Sequence, residues 1–300
     1  MTADLVVRVA DRDVAVSSLD RVLYPLTGTT KAEVIDYYVR VAATLLPHVA
    51  GRPATLHRFP EGVGGPHFFQ TRVPPHPAWV RTAEMYYERT GKRFAAPVVD
   101  DLPSLVWAAN LSTLEVHPFL GLAERQDVPL VLVFDLDPGE PAGLREAAAV
   151  ALRVRDLLLA DGLASWPKSS GAKGVHVYAP LNTDVTYAAT KAYAKAVATT
   201  LTRQTPHLVV DRMTRALRPG KVLVDWSQND MGKSTVAPYS LRALRAPTVS
   251  LPVTWDEVAA VAETGDVAPL AYGPEDALAR VERHGDLFAP VLTTRQQLPG

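Results

Sequence analysis

With 300 residues, 47% of them hydrophobic and 21% charged, the chain has the composition of an ordinary globular protein, able to bury one large core or two small ones. Zero cysteines exclude disulfides and thiolate metal sites, no apolar run approaches the length of a membrane helix, and Met1-Thr2-Ala3-Asp4-Leu5 is no signal peptide. These features fit a cytosolic protein. A net charge of −1 argues against a simple polyanion binder, although residues 201–250 carry eight Lys/Arg against three Asp/Glu and residues 251–300 three against eight. A basic segment beside a metal site would suit a phosphate-bearing substrate; scatter over a solvated surface would give the same counts.

In chain order, Leu5, Val7, Val9, Val14 and Val16 alternate loosely and predict a hairpin around Asp11-Arg12-Asp13. Thr30 with Glu33 three residues on forms a capping box, so a helix should run from Lys31 to about Leu46, where Pro47 follows. Val34, Ile35, Tyr38, Val41, Ala42 and Leu45 form its apolar stripe. The helix start gathers free backbone N–H groups, threonine hydroxyls and Lys31, with Arg21 shortly before. Such a combination would hold a phosphate, and a plain helix cap explains the same residues. Residues 51–59 read as a strand carrying Arg52, His57 and Arg58, and a Gly-rich loop then delivers His67, Phe68 and Phe69. On composition alone the two phenylalanines are expected in the core. A short strand at Pro97-Val98-Val99, a helix from about Leu102 to Asn110 and Leu114-Glu115-Val116-His117-Pro118-Phe119 follow, with Glu115 and His117 on one side.

Leu130 to Phe134 form an apolar β run of five residues bounded by prolines at 129 and 138, and Asp135 and Asp137 stand at its end. At period two both carboxylates share a face, where each resists ionising unless a cation lies between them. A hard divalent ion removes that conflict; a strand end entering solvent is the alternative. Gly143 to Asp161 is strongly helical, and a second strand, Gly174 to Pro180, is entered through Ser169-Ser170-Gly171-Ala172-Lys173-Gly174. That turn offers backbone N–H groups, a hydroxyl and an ammonium to one point, with His176 two residues beyond it, an arrangement suited to phosphate oxygens. After a helix from Tyr187 to Thr202 and the basic Arg212, Arg215, Arg218 and Lys221, a strand ends at Asp225, the third carboxylate a two-metal site requires. Residues 252–300 read as a packed tail with helices beginning at Trp255 and running from Pro274 to His284. The constellation fits metal-assisted phosphoryl or nucleotidyl transfer.

The order Asp135-x-Asp137, Ser170-Gly-Ala-Lys173-Gly-Val-His176 and Asp225-Trp-Ser-Gln resembles the three motifs of archaeo-eukaryotic primases. It is most similar to the polymerase domain of bacterial DNA ligase D and its free-standing relatives. The likeness also takes in Leu23-Tyr24-Pro25, Thr27 to Lys31, Arg52-Pro53, Phe68-Phe69, Leu114 to His117 and Ala237 to Arg242, and so spans roughly residues 15–290. It implies an α/β (α+β) fold with a primase-type core, one domain over residues 1–300: an N-terminal module at about 15–125, an RRM-like catalytic module at 126–250 and a helical tail at 251–300. It implies a ribonucleotide-preferring, template-dependent polymerase that fills short gaps or extends primers at DNA breaks.

For the matched positions, the resemblance implies that Asp135, Asp137 and Asp225 hold two divalent ions, Mn2+ or Mg2+. Ser170, Lys173 and His176 would hold the nucleoside triphosphate, assisted by Arg242, Gln228 and Arg218, with His117 and His57 near the sugar or phosphates. Lys31 with Arg21 would take the 5′-phosphate of the downstream strand, and Phe68 and Phe69 would stack on the template. Two positions depart from the family pattern: arginine stands at 21 and histidine at 57, where lysine is common. Implied partners are gapped or broken DNA, a separate ATP-dependent DNA ligase and a Ku-type end-binding protein, at the nucleoid in the cytoplasm, with no membrane. A metal-dependent phosphodiesterase explains the aspartates without the triphosphate cradle, and a non-catalytic DNA-end binder explains the 5′-phosphate pocket alone.

Overall fold

The C-terminal half of the chain grows from one strand whose two faces have different surroundings. In the computed structural model, which describes residues 5–87 and 91–299, the N-terminal part begins with a hairpin of β1 (Leu5–Val9) and β2 (Arg12–Val16). It turns one residue earlier than expected, at Ala10 with a positive φ of 52°, so Arg12 and Asp13 already belong to the second strand. Helix α1 (Lys31–Val49) starts at the expected box, where the Thr30 hydroxyl accepts from Glu33 N and Glu33 accepts from Thr30 N. It continues past the expected stop and through Pro47, because buried His48 and Val49 pack its last turn and Ala50 N donates to Leu46 O. A missing N–H removes only one bond there.

Strand β3 (Ala54–Arg58) lies between β4 (Phe68–Gln70) and a later strand, β7 (Thr113–Pro118). Between them the chain forms a hairpin of β5 (Thr82–Tyr87) and β6 (Lys92–Pro97), then α2 (Leu102–Asn110). The strand expected at residues 97–99 is thus the end of β6, followed by a single bridge from Val98 to Pro53. Val34, Tyr38, Val41 and Leu45 of α1 and Leu105 and Val106 of α2 bury against Leu56, Leu114 and Val116 of this sheet.

The central sheet contains β8 (Val131–Pro138), β9 (Trp166–Ser169), β10 (Val175–Pro180), β11 (Val209–Val210) and β12 (Val222–Asp225), in the order β9-β10-β8-β12-β11. Helices α3 (Leu144–Ala160) and α4 (Tyr187–Gln204) join β8 to β9 and β10 to β11. Without the short edge strand β11, this is the βαββαβ order of an RRM-like sheet, as expected from the resemblance. Leu132, Phe134 and Leu136 face α3 and α4 in one core, while Val131 and Val133 pack against Leu120, Tyr178 and Phe288 on the opposite face. Asp135 and Asp137 continue that opposite face. The chain ends in a short hairpin of β13 (Leu241–Ala243) and β14 (Pro247–Val249), then α5 (Trp255–Thr264) on the catalytic core and α6 (Pro274–His284) against α1. Among the described residues no helix is long and apolar enough to cross a membrane.

Candidate active site

Strand register brings the aspartates together. His176 of β10 lies opposite Asp135 of β8, and Asp135 lies opposite Asp225 of β12. Lys168 of β9 lies opposite His176, so one rung across four strands reads Lys168–His176–Asp135–Asp225. His176 Nε2 is 3.3 Å from Asp135 Oδ1. Asp137, two residues further along the same face, pairs with Arg218, and Lys173 Nζ lies 3.9 Å from it. Asp225 accepts from Ser227 N at 2.9 Å and from Gln228 Nε2 at 3.2 Å. Asp135, Asp137, Ser170, Lys173, His176, Gln228 and Arg242 all line one cleft of about 400 Å³, together with His117 and Phe69.

The electrostatics follow from burial and charge. Burial, with the Lys168 ammonium nearby, pushes the His176 imidazolium down to about 4, so the ring is neutral at pH 7. Burial alone would raise the Asp135 carboxyl, but His176, Lys168 and Arg242 together hold it below its ordinary value. Three carboxylates supplying only oxygen on one face suit hard divalent cations. Among the described residues another group brings three ligand atoms within 4.8 Å of one another: His57, Glu115 and His117.

The turn after β9 differs from expectation. Its amides are used internally: Gly171 N donates to Ser169 Oγ, and Ala172 N and Gly174 N donate to Ser170 Oγ. Beside these bonded amides the turn brings the Ser170 hydroxyl and the exposed Lys173 ammonium to the cleft. Glycine is required at both ends of the turn. Gly171 has φ +71°, and a Cβ there would meet Arg242 Cγ and Val249 backbone at 2.7 Å; at Gly174 it would meet Leu136 O at 2.5 Å.

The opposite wall comes from β3, β4 and β7. His57 lies opposite Glu115 in the register, and Phe69 stacks on His57 with ring centroids 3.9 Å apart. Phe68 is 44% and Phe69 60% exposed, which overturns the core placement expected from composition; Arg58 lies over the Phe68 ring. Their strand is only three residues long and has β3 alone beside it, so no layer covers the pair. Arg21 and Lys31 lie away from the residues lining this cleft but beside one another, with Lys31 N donating to Arg21 O. Arg21 is exposed and donates to Pro60 O, while Lys31 is only 4% exposed, its Nζ on Ser17 O at 2.6 Å.

Comparison with known proteins agrees with this geometry. Residues 30–288 match the family model described as LigD, primase-polymerase domain. The chain belongs to the LigD primase-polymerase domain family. It is 43% identical over 288 residues to the multifunctional non-homologous end joining DNA repair protein LigD of Mycobacterium tuberculosis strain H37Rv, covering 93% of this chain and 37% of that protein. It is 29% identical over 286 residues to the bifunctional non-homologous end joining protein LigD of Bacillus subtilis, covering 94% and 45%. The chain therefore spans less than half the length of these relatives. A solved polymerase domain of Mycobacterium tuberculosis ligase D in complex with DNA superposes with a TM-score of 0.86 at 39% identity, covering 94% of this chain and 99% of that one. The chain is accordingly a nucleotidyltransferase of the polymerase type, and the phosphodiesterase reading is not favoured.

Two buried groups of this polymerase fold carry no role in the motif reading. Glu115 is visible in the sequence as the alternate of His117, but its partner Arg242 lies 127 residues away. Lys168 precedes the turn by one residue, and its position on a strand is hidden by Trp166-Pro167.

Proposed function

We propose that this chain carries out template-directed nucleotidyl transfer onto a primer 3′-end at short DNA gaps or broken ends, with ribonucleotides preferred, as one primase-polymerase domain. The observation that carries the reading is the cross-strand pairing of Asp135 with Asp225, with Asp135 and Asp137 lining the same cleft as Ser170, Lys173 and His176. Asp135, Asp137 and Asp225 would hold two divalent ions, Mn2+ or Mg2+, which when bound supply charge neutralisation for a triphosphate and acidify a hydroxyl. Lys173 and the Ser170 hydroxyl hold phosphate oxygens. His176, kept neutral, presents an N–H rather than a second positive charge. Arg242, Arg218 and Gln228 complete the nucleotide pocket, and His117 and His57 border it on the sugar side. Phe68 and Phe69, exposed and adjacent, offer ring faces to unpaired template bases. Arg21, exposed at the start of α1, with Lys31 behind it, takes the downstream 5′-phosphate.

The names of the relatives support a task in non-homologous end joining; we set it in a bacterial cytoplasm at the nucleoid, beside an ATP-dependent ligase and a Ku-type end binder. The test is primer extension on a short-gapped duplex, comparing ribo- with deoxynucleotides, Mn2+ with Mg2+, and ends with and without the 5′-phosphate. Extension that favours ribonucleotides and the 5′-phosphate supports the proposal. Extension indifferent to the phosphate removes the Arg21/Lys31 pocket, and no extension by the folded, metal-supplied protein removes the polymerase.

A further inference from the structure

We propose that Glu115 is a positioning residue that sets the nucleotide pocket from the wall opposite the aspartates, an inference that rests on the reading of this cleft as a nucleotide site. Its carboxylate is buried and serves groups from three strands. Oε1 accepts from Arg242 Nε and from Ala243 N, both at 3.0 Å. Oε2 accepts from His117 Nε2 at 2.8 Å and lies 3.3 Å from His57 Nδ1. Arg242 in turn donates from Nη1 to Ser170 O at 2.5 Å, so one chain of contacts runs from β7 through β13 to the phosphate turn after β9.

This geometry explains two features of the pocket. A bare buried carboxylate is strongly unfavourable; two donors on Oε1, one on Oε2 and the nearby His57 ring make this one tolerable while fixing where the donors stand. Burial raises the Glu115 carboxyl, and the two histidines and Arg242 more than reverse that, so it remains ionised. Because Glu115 occupies His117 Nε2, only Nδ1 of that ring is left for a ligand. Because it occupies Arg242 Nε, the guanidinium is held in one plane with its terminal nitrogens toward the turn. A cation bound among His57, Glu115 and His117 would have to displace the His117 donor from Oε2 and sit beside the Arg242 charge on the same carboxylate. The cluster therefore orients the pocket and is not a metal centre.

The experiment compares Glu115→Gln and Glu115→Asp with the parent in equilibrium binding of ATP, in gap-filling kinetics and in affinity for a 5′-phosphorylated gapped duplex. Loss of charge-assisted bonds that act through nucleotide binding should weaken ATP affinity and raise the nucleotide KM by about 10- to 100-fold. The kcat should change by less than about threefold, since the lost contacts serve ground and transition states alike. DNA affinity should stay unchanged, and Glu115→Asp should recover part of the loss. A folded Glu115→Gln protein with parental ATP affinity overturns the proposal, as does a parallel fall in kcat and DNA affinity. If Glu115→Gln does not fold, Glu115→Asp decides: parental ATP affinity there overturns the proposal, weakened affinity with intact DNA binding supports it. ATP binding is read independently of extension, so a parent that binds ATP without extending primers removes the polymerase reading and leaves this inference standing.

Discussion

Two sets of carboxylates serve the two walls of one cleft, Asp135 and Asp137 lining it and Glu115 buried behind His117 and Arg242, and they are treated oppositely. Glu115, on the β3–β4–β7 wall, is the more compactly surrounded, yet both of its oxygens are already matched by donors from Arg242, Ala243 and His117. Asp135 and Asp137, on the β8 wall, have looser company: a histidine nitrogen at 3.3 Å for one, Arg218 and a lysine at 3.9 Å for the other. Compactness alone would select the glutamate cluster as the cation site. Unused acceptor capacity selects Asp135 and Asp137, while Asp225 already accepts from its own neighbours Ser227 and Gln228. A buried carboxylate bonded at both oxygens by donors from distant strands fixes those strands, whereas one with spare oxygens at a cleft can take a cation.

The comparison can be broken most severely at the aspartates. Asp137→Ala should lower kcat by about 10³-fold or more while leaving the thermal midpoint nearly unchanged, because a metal-held transition state loses several kcal/mol. Activity within tenfold of the parent would place the chemistry elsewhere. The glutamate wall is sharpened by Phe69→Ala, expected to weaken binding of an unpaired template strand by about 1–3 kcal/mol, read as fluorescence anisotropy of a labelled overhang. Unchanged affinity would return Phe69 to a packing role against His57. A smaller effect is expected for Arg21→Ala, which should cut the preference for a 5′-phosphorylated end about tenfold without altering nucleotide KM.

The smallest effect lies outside the cleft and separates positioning from folding. Asp286 accepts from Tyr239 Oη at 2.6 Å and from Phe288 N at 2.8 Å, and lies 2.8 Å from His48 Nε2, pinning the tail to α1. Tyr239 itself has a positive φ of 66° and is further held by Tyr37, which donates to its carbonyl. Burial raises the Asp286 carboxyl, but the His48 and Tyr239 bonds outweigh it and leave it below the ordinary value. A carboxyl lowered on folding stabilises the protein above its unfolded value, about 3.9, and the contribution is lost as pH falls through the folded value. Asp286→Asn should therefore cost about 1–2 kcal/mol in urea melts at pH 7, with the gap to the parent narrowing below pH ~4. A gap independent of pH would mean that the carboxylate charge plays no part.

Much of this was legible in the chain because it was written at short range. The apolar run from Leu130, the Thr30/Glu33 box and the helix at Pro274–His284 each depend on neighbours a few residues apart; the box and the helix stand where expected, and the strand starts one residue later, at Val131. The aspartates could be grouped because period two places Asp135 and Asp137 on one face. What was hidden depends on long-range pairing. Strand β9 is four residues long and contains Pro167, so it has no periodic signature and is a strand only because β10 pairs with it. The β5–β6 hairpin lacks a clean alternation, and the exposure of Phe68 and Phe69 follows from the absence of a covering layer, which no local pattern reports. Glu115 gains its role from Arg242, and the turn at Ser170 ties up its own amides through serine hydroxyls whose direction only the folded backbone sets.

The most direct test is to ask where Mn2+ binds. Electron paramagnetic resonance titration of Mn2+ into the parent, Asp135→Ala and Glu115→Gln would separate the two walls. Asp135→Ala should lose bound Mn2+ while Glu115→Gln keeps it at parental affinity. Binding that survives in Asp135→Ala and disappears in Glu115→Gln would contradict this expectation, and would make the histidine–glutamate cluster the metal centre of this polymerase.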